Sequence, residues 1–452
     1  MTFQDVTANM TLDMTRGNPT KLLLRFAVPM ILSSLLQQMY TLCDSFIIGR
    51  LLGTVAFTDT ASAGNVNWFP LHISMGATTG FGVALAQFFG ARKQEQFHRH
   101  FAGSLILCFG LGLLFSMIGL VFAEPFLHLL NTPLELLDYA LRYLRVLWIG
   151  FTVTVLLNMF TTALLAMGDS RTPLVALAIS SVINIVLDVI CIAWLNLSLE
   201  GAALATVISQ AAAAFWSFQG LRRIEHALPP KEYYRLDWDV VRKLLSLGAP
   251  RMLSNGVTTT GELLVQAAVN SWGVTFLTGL TASRRYMNLL NVVNSGLEGA
   301  VATYVGQNWG ADKKGRIRQG TRNAIAIGFA TSAVIGITVW ILAEPMIRFF
   351  VPDGTPESLT FGIEALRVMA FFLPSLYLLC EYRAAIQGMG NSVIPMYSGF
   401  LELAMRVCAT LLLPLLIGQK ALYFTDAAAW AITMVMLMVS YYILQRKLLS
   451  GK

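Results

Sequence analysis

The chain has 452 residues, 56% of them hydrophobic and 13% charged, with a mean hydropathy of +0.63 and a formal net charge of +7. A soluble chain carries about 25% charged residues, so this composition excludes an ordinary soluble enzyme or binding domain and points to the bilayer. The excess positive charge stands in short loops between apolar runs, the pattern of membrane orientation and not of nucleic-acid binding.

Runs such as 104–123, 174–195 and 325–342 are nearly free of charge. At 1.5 Å rise per residue, about 20 residues cross the hydrocarbon core. The pattern predicts twelve spans, at 22–52, 56–88, 101–123, 137–165, 173–196, 200–221, 241–271, 276–307, 322–343, 359–387, 393–418 and 421–446. Spans 1, 2, 7, 8 and 10 are long enough to require tilt, kinks or projection beyond the bilayer. Pro29, Pro70, Pro250 and Pro374 fall inside spans and are the expected kink points. The polar start and the length of the first apolar run predict that it inserts and stays, with no cleavable signal.

Lys and Arg gather after spans 2, 6 and 8 and in the tail (Arg92, Lys93, Arg99; Arg222, Arg223, Lys231, Arg235; Lys313, Lys314, Arg316, Arg318; Arg446, Lys447, Lys452). The loops after spans 1, 3, 5, 9 and 11 are much poorer. The even loops and both termini are therefore expected in the cytoplasm. Cys43, Cys108, Cys191, Cys380 and Cys408 lie one per apolar segment, without a CxxC, and read as small core residues.

The sequence repeats itself at an offset of about 220 residues. Gln87-Phe-Phe-Gly90-Ala91 recurs as Gln307-Asn-Trp-Gly310-Ala311, and Ala123-Glu124-Pro125 as Ala343-Glu344-Pro345. Leu144-Arg145-Val146 recurs as Leu366-Arg367-Val368, and Met167-Gly168 through Pro173 as Met389-Gly390 through Pro395; Pro29 pairs with Pro250. Six spans separate equivalents, so the halves share one orientation, a parallel repeat. The expected architecture is an all-α integral membrane protein of twelve transmembrane helices, in two pseudo-symmetric six-helix bundles around a central cavity. The boundaries follow: an N-lobe at 1–221, a cytoplasmic linker at 222–240 containing Pro229-Pro230, and a C-lobe at 241–452. Two such halves suit an alternating-access transporter, although architecture alone also admits a channel or a membrane enzyme.

Polar residues inside spans carry the functional signal, since an ionised carboxylate at mid-bilayer costs about 3 kcal/mol or more. In span 1, Ser33, Gln37, Tyr40 and Asp44 form one polar stripe at helical spacing. Span 4 carries Thr154, Asn158 and Thr161; span 5 Ser181, Asn184 and Asp188; span 6 Thr206, Ser209 and Gln210. Pointed at a shared interior, these make either a cation-coupling site for H⁺ or Na⁺ or a static interhelical hydrogen-bond cluster. The second half does not copy the acids. Its own stripes are Asn255, Thr259, Glu262, Gln266 and Asn270 in span 7, and Asn288, Asn291, Ser295 and Glu298 in span 8. They are candidates for the solute path, with Glu262 placed to attract a cation; a paired structural acid is the alternative, favoured for Glu298. Glu402 and Arg406 read as a structural i, i+4 ion pair, and Arg284 and Arg285 as interfacial. No P-loop, HExxH or GxSxG motif is present, and the five His show no ligand spacing, so no enzymatic chemistry is expected.

The set Gly17-Asn18-Pro19, Pro29, Asp44-Ser-Phe-Ile-Ile-Gly49, Gln87-Phe-Phe-Gly-Ala91, Ala166-Met-Gly-Asp-Ser-Arg-Thr-Pro173, Asn184-Ile-Val-Leu-Asp188 and Gly201-Ala-Ala-Leu-Ala-Thr206 resembles the multidrug and toxic compound extrusion (MATE) transporters. The resemblance covers nearly the whole chain and is strongest in the first half. It implies two six-helix lobes around a V-shaped cavity and efflux of amphipathic or cationic compounds in exchange for H⁺ or Na⁺. It places a cation site at Asp44, Asn184, Asp188 and Thr206, and it places Tyr40 in the first-lobe cavity. Gln37, Asn158, Asn255 and Gln266 are read as cavity residues beside it, and Glu262 matches an acid of helix 7 in some branches. Other branches carry an acid in helix 10; residues 371–380 have none and Glu381 lies outside the match, which argues for first-lobe coupling. No cofactor and no metal other than Na⁺ is expected. The expected partners are a small-molecule substrate and membrane lipids, with a monomer in a bacterial plasma membrane. A flippase for a lipid-linked cell-envelope precursor is the alternative, with Arg251, Arg383 and Arg406 as its basic candidates. A membrane scaffold or receptor is a third reading, disfavoured by the polar inner stripes.

Overall fold

A computed structural model describes residues 11–129, 134–270 and 272–450. Among them the regular structure is helical. In a bilayer this follows from chemistry, because only a helix or a closed barrel satisfies every backbone polar group where water is missing. The twelve long helices are α1 (Pro19–Leu51), α2 (Gly53–Gly90), α3 (Gln94–Leu129), α4 (Leu134–Ala166), α5 (Arg171–Val189), α6 (Leu199–Arg223), α7 (Trp238–Asn270), α8 (Val274–Gly310), α9 (Lys314–Phe350), α10 (Pro356–Gly388), α11 (Val393–Leu412) and α12 (Phe424–Ser450). Each expected span falls mainly in one of them, although span 5 runs past α5 through the segment Ile190–Trp194 and span 11 past α11 through Pro414–Ile417. Lys452 of the tail lies outside the described residues.

Eight segments are long and apolar enough to cross a membrane by length and composition, Val393–Lys447 counting as one. The remaining helices, α2, α7 and α8, are diluted by the Gly, Thr and Asn residues that stripe them. The helices run through Pro29, Pro70, Pro250 and Pro374. Proline removes one backbone donor, the one that would serve the carbonyl four residues before it. The Ser33 hydroxyl donates to the Pro29 carbonyl at 2.9 Å, and the Ser74 hydroxyl does the same at Pro70.

The chain divides into two compact units. One is Val28–Met252 with the segment ending at Asp13; the other is Leu253–Lys452 with Met14–Ala27. The unit boundaries thus fall inside α1 and α7, next to the repeat-related Pro29 and Pro250, and not at the linker. Both units are built alike. In the first, α4 packs on α2, α3 and α6, with α5 on α6 and α2 on α3. In the second, α10 packs on α8, α9 and α12, with α11 on α12 and α8 on α9. Every pairing recurs six helices later, so α4 and α10 are the equivalent central helices of the two bundles.

Local geometry repeats as well. Gly168 (φ +88°) and Gly390 (φ +85°) occupy the same left-handed turn, and Arg92 (φ 55°) matches Asp312 (φ 53°). After the glycines, Asp169 Oδ1 accepts from the backbone N–H of Arg171 and Thr172, and Asn391 Oδ1 accepts from that of Val393 and Ile394. These side chains cap α5 and α11 identically. Small residues bring the helices close, as expected where lipid removes the hydrophobic drive for association. Gly119 of α3 lies under the Trp148 indole of α4, where a Cβ would come within 1.3 Å of the ring. Gly80 of α2 meets Gly248 of α7 backbone to backbone in the same way.

Candidate functional site

Part of the polar stripes of the first unit converges, at Tyr40, Asp44, Asn184, Asp188 and Thr206. Asp188 and Asn184, one turn apart on α5, are fully buried. A short π-helical segment, Ile190–Trp194, follows directly; such segments interrupt regular helices and are frequent at functional sites. The Asn184 amide nitrogen donates to Asp188 Oδ2 at 2.9 Å and its oxygen accepts from the Thr206 N–H at 3.3 Å, the assignment that matches every donor with an acceptor. Tyr40 Oη of α1 lies 3.5 Å from Thr206 Oγ1.

Asp44 completes the group. Its carboxyl and that of Asp188 are within hydrogen-bonding reach of each other. Two carboxylates at that separation repel, so the pair is stable only with a proton or a cation between them. One oxygen of each, Asp44 Oδ1 and Asp188 Oδ1, is buried without a hydrogen-bond partner in the protein. Among the described residues no three His, Cys, Asp or Glu side chains converge as for a metal ion. A bound alkali cation would rest on these two carboxylates with the oxygens of Asn184, Thr206 and Tyr40.

The sequence reading missed Tyr143 of α4, which interacts electrostatically with Tyr40, Asp44 and Asp188. It packs beside Ile48, Ile192, Leu199 and Ala202, which form an apolar collar beside the acids. A signal existed, since Tyr143 lies three turns before Thr154 on the same helix face. Thr154 donates its hydroxyl to Gln210 of α6, a separate contact. Asn158 is half-buried and Gln37 exposed, and neither belongs to the group that meets at the acids.

In the second unit the expected cavity residues meet a network of charges. Gln266 Oε1 accepts from Arg284 Nη1 at 3.0 Å. Arg284 also lies 3.7 Å from Asp426 of α12, so it is turned inward and not interfacial as the sequence suggested. Arg406 Nε donates to Asp426 Oδ1 at 2.9 Å. Glu402 is bound by Arg383 of α10 and stands 4.0 Å from Arg406. The i, i+4 pair therefore exists, but each member has a closer partner on another helix. The Glu262 side chain is exposed and lies in the field of Arg406, Arg284, Asp426 and Glu402. Asn255 is half-buried on α7. Glu381 of α10, set aside on sequence, is fully buried with both carboxyl oxygens unpartnered.

Two like-built helical bundles, one holding a paired acid at membrane depth, define a multi-pass membrane transporter and not an enzyme. The MatE family model matches residues 29–190 and again 250–412, one copy per half, and the chain belongs to this family. It is 29% identical to "Probable multidrug resistance protein YpnP" of Bacillus subtilis, covering 80% of this chain and 81% of that one. It is 23% identical to "Probable multidrug resistance protein NorM" of Thermotoga maritima (85% and 83% covered) and 24% identical to the "FAD transporter" of Shewanella oneidensis (74% and 75%). A solved outward-facing MATE family transporter superposes with a TM-score of 0.90 at 21% identity, covering 96% of this chain and 98% of that one. The MATE structure in the bent conformation gives 0.91 at 21% identity (98% and 99%).

Proposed function

We propose that this protein is a secondary antiporter that exports amphipathic, cationic compounds in exchange for H⁺ or Na⁺, with Asp44, Asn184, Asp188 and Thr206 as the coupling site. The observation that carries the reading is the facing of Asp44 and Asp188 in a buried setting with an unpartnered oxygen on each. Such a pair has a strong affinity for one positive charge and little tolerance for none. Tyr40 and Tyr143 border it, so binding or loss of the cation reaches α1 and α4 directly. A ligand shifts a conformational equilibrium only through different affinities for its states; the acid pair supplies that difference when α1 moves relative to α5.

Relatives named for multidrug resistance support export of drug-like molecules. Gln37, Asn158, Asn255, Glu262 and Gln266 are the proposed solute contacts, with Glu262 favouring cations. A plasma-membrane location with both termini in the cytoplasm fits the Lys and Arg distribution. The flippase reading loses support, because Arg383 and Arg406 are held by Glu402 and Asp426 and do not stand ready for phosphate. The test is accumulation of a fluorescent cationic dye in cells with and without the protein, the H⁺ and Na⁺ gradients being collapsed separately. The reading requires that collapse of one gradient abolish efflux. Efflux that survives collapse of both sinks it.

A further inference from the structure

Glu381 stands out. Its side chain has no exposure, and neither carboxyl oxygen has a hydrogen-bond partner. It belongs to the central helix of the second unit and faces α9 at Gly328, where a Cβ would lie 3.5 Å from its Cγ and 3.6 Å from Leu297.

The internal repeat gives a control that most proteins lack. At the offset that relates α4 to α10, Glu381 corresponds to Met159. At the offset that relates α3 to α9, Gly328 corresponds to Cys108. Met159 and Cys108 are fully buried members of one apolar cluster in the first unit. The bundle therefore closes well with a thioether and a thiol here, and packing does not require a carboxyl. The second unit has exchanged them for an acid and the space beside it. Glu298 of α8 replaces Thr78 at the corresponding place and interacts electrostatically with Glu381.

From this arrangement we propose that Glu381 is a second proton-binding site of the transporter, separate from the Asp44–Asp188 pair. It also differs from the helix 10 acid found in some relatives, since residues 371–380 carry none. A proton is the ligand we assign, because Gly328 and Leu297 on this side of the carboxyl bring no side-chain oxygen to share a larger cation. A proton needs only the carboxyl itself, and an unpaired buried carboxylate is several kcal/mol less stable than the neutral acid. The groups around Glu381 are few. Glu298 and Asn294 come from α8, Tyr377 and Cys380 from α10. Arg383, two residues on, is engaged by Glu402 of α11, and from α12 Tyr441 and Tyr442 reach Tyr382.

The experiment is infrared difference spectroscopy of the full chain in lipid, titrated from mildly acidic to alkaline pH. Glutamate labelled with ¹³C at the carboxyl separates Glu from Asp signals. The wild type should show the carbonyl stretch of a protonated Glu in an apolar setting, lost reversibly on alkalinisation. That band should vanish in Glu381→Gln and persist in the Asp44→Asn, Asp188→Asn double variant. In Glu298→Gln it should remain but be lost at a different pH. The proposal is overturned if the labelled wild type shows no such band, if the band is unchanged in Glu381→Gln, or if it resists every pH at which the protein stays folded. Absence of the band in the wild type overturns the proposal even if a variant fails to fold, and none of these outcomes depends on the coupling assignment of Asp44 and Asp188.

Discussion

Asp44 of α1 and Asp188 of α5 face each other within hydrogen-bonding reach, although 144 residues of chain separate them and neither has a basic residue at hand. Fully ionised, the pair would repel in a medium that screens poorly; a shared cation turns that repulsion into attraction. The expected consequence is that Asp44→Asn or Asp188→Asn lowers gradient-driven dye efflux to the level of cells lacking the protein. Asparagine keeps size and hydrogen bonding, so membrane abundance and detergent melting temperature should stay near wild type. Normal export by both variants would remove the coupling site from this pair.

Thr206 touches Tyr40 through its hydroxyl, which also donates to the Ala202 carbonyl at 3.0 Å. Thr206→Val removes the hydroxyl and keeps the shape. A hydrogen bond in such a site contributes about 0.5–1.5 kcal/mol, roughly a threefold to tenfold change in an equilibrium. Efflux should therefore persist but need a correspondingly higher concentration of the coupling cation. Transport titrated against that cation in vesicles measures the shift; complete loss of transport would mark Thr206 as essential and not supportive.

The arginines of the second unit allow a stability test. Arg383 is 11% exposed at its side chain and Glu402 4%, and the two are ion-paired. Glu402→Gln leaves a buried guanidinium without its ion-pair partner. Breaking a buried pair from one side costs about 3–5 kcal/mol, enough to deplete folded protein from a membrane extract. Replacing both partners, Arg383→Met with Glu402→Leu, should recover most of that yield. If the single variant is as stable as the wild type, the pair is not the buried contact described here.

How much of this was legible in the sequence depends on the range of the interaction. The helices were visible because lipid demands unbroken apolar runs. The first-unit acids were visible because Asn184 and Asp188 stand at i, i+4 and Tyr40 and Asp44 share a stripe. Tyr143 lay on the face already marked by Thr154 but just beyond the start of the stripe. Glu381 gave no periodic signal, being flanked by Cys380 and Tyr382 among apolar neighbours; only packing reveals that it is sealed and unpartnered. Partner choice was the other blind spot. Spacing pairs Glu402 with Arg406, while the fold hands Glu402 to Arg383 and Arg406 to Asp426, because those contacts depend on how helices pack.

Outside the bilayer, the linker carries a pH-dependent contact. Asp237 Oδ1 accepts from the Asp239 N–H at 3.0 Å at the start of α7, and Oδ2 is ion-paired with Arg99 of α3. The backbone hydrogen bond and the guanidinium hold this carboxyl below the usual range. A depressed carboxyl value stabilises the fold above its unfolded-state value of about 3.9 and loses that effect as pH falls through the folded value. Protease susceptibility of the linker should thus be flat from neutral pH to about pH 5, and should rise only in stronger acid. Asp237→Asn should raise it at neutral pH and flatten the response. An equal acid response in the variant would assign it to another group.

The duplicated turn sets one cap against another inside a single molecule. Asp169 and Asn391 each accept two backbone N–H groups at the start of α5 and α11, but Asp169 Oδ2 also receives the Thr172 hydroxyl at 2.5 Å. Val393 and Ile394, at the corresponding turn, have no hydroxyl to offer. Losing such a cap costs about 0.5–2 kcal/mol. Asp169→Ala should fall in the upper part of that range and Asn391→Ala in the lower, since only the first loses a charge-assisted bond. Thr172→Val should lower the stability of the wild type but leave that of Asp169→Ala almost unchanged, a double-mutant cycle read by thermal melting in detergent. If the two alanine variants melt together and Thr172→Val acts equally in both backgrounds, the third contact adds nothing and the halves are capped with equal strength.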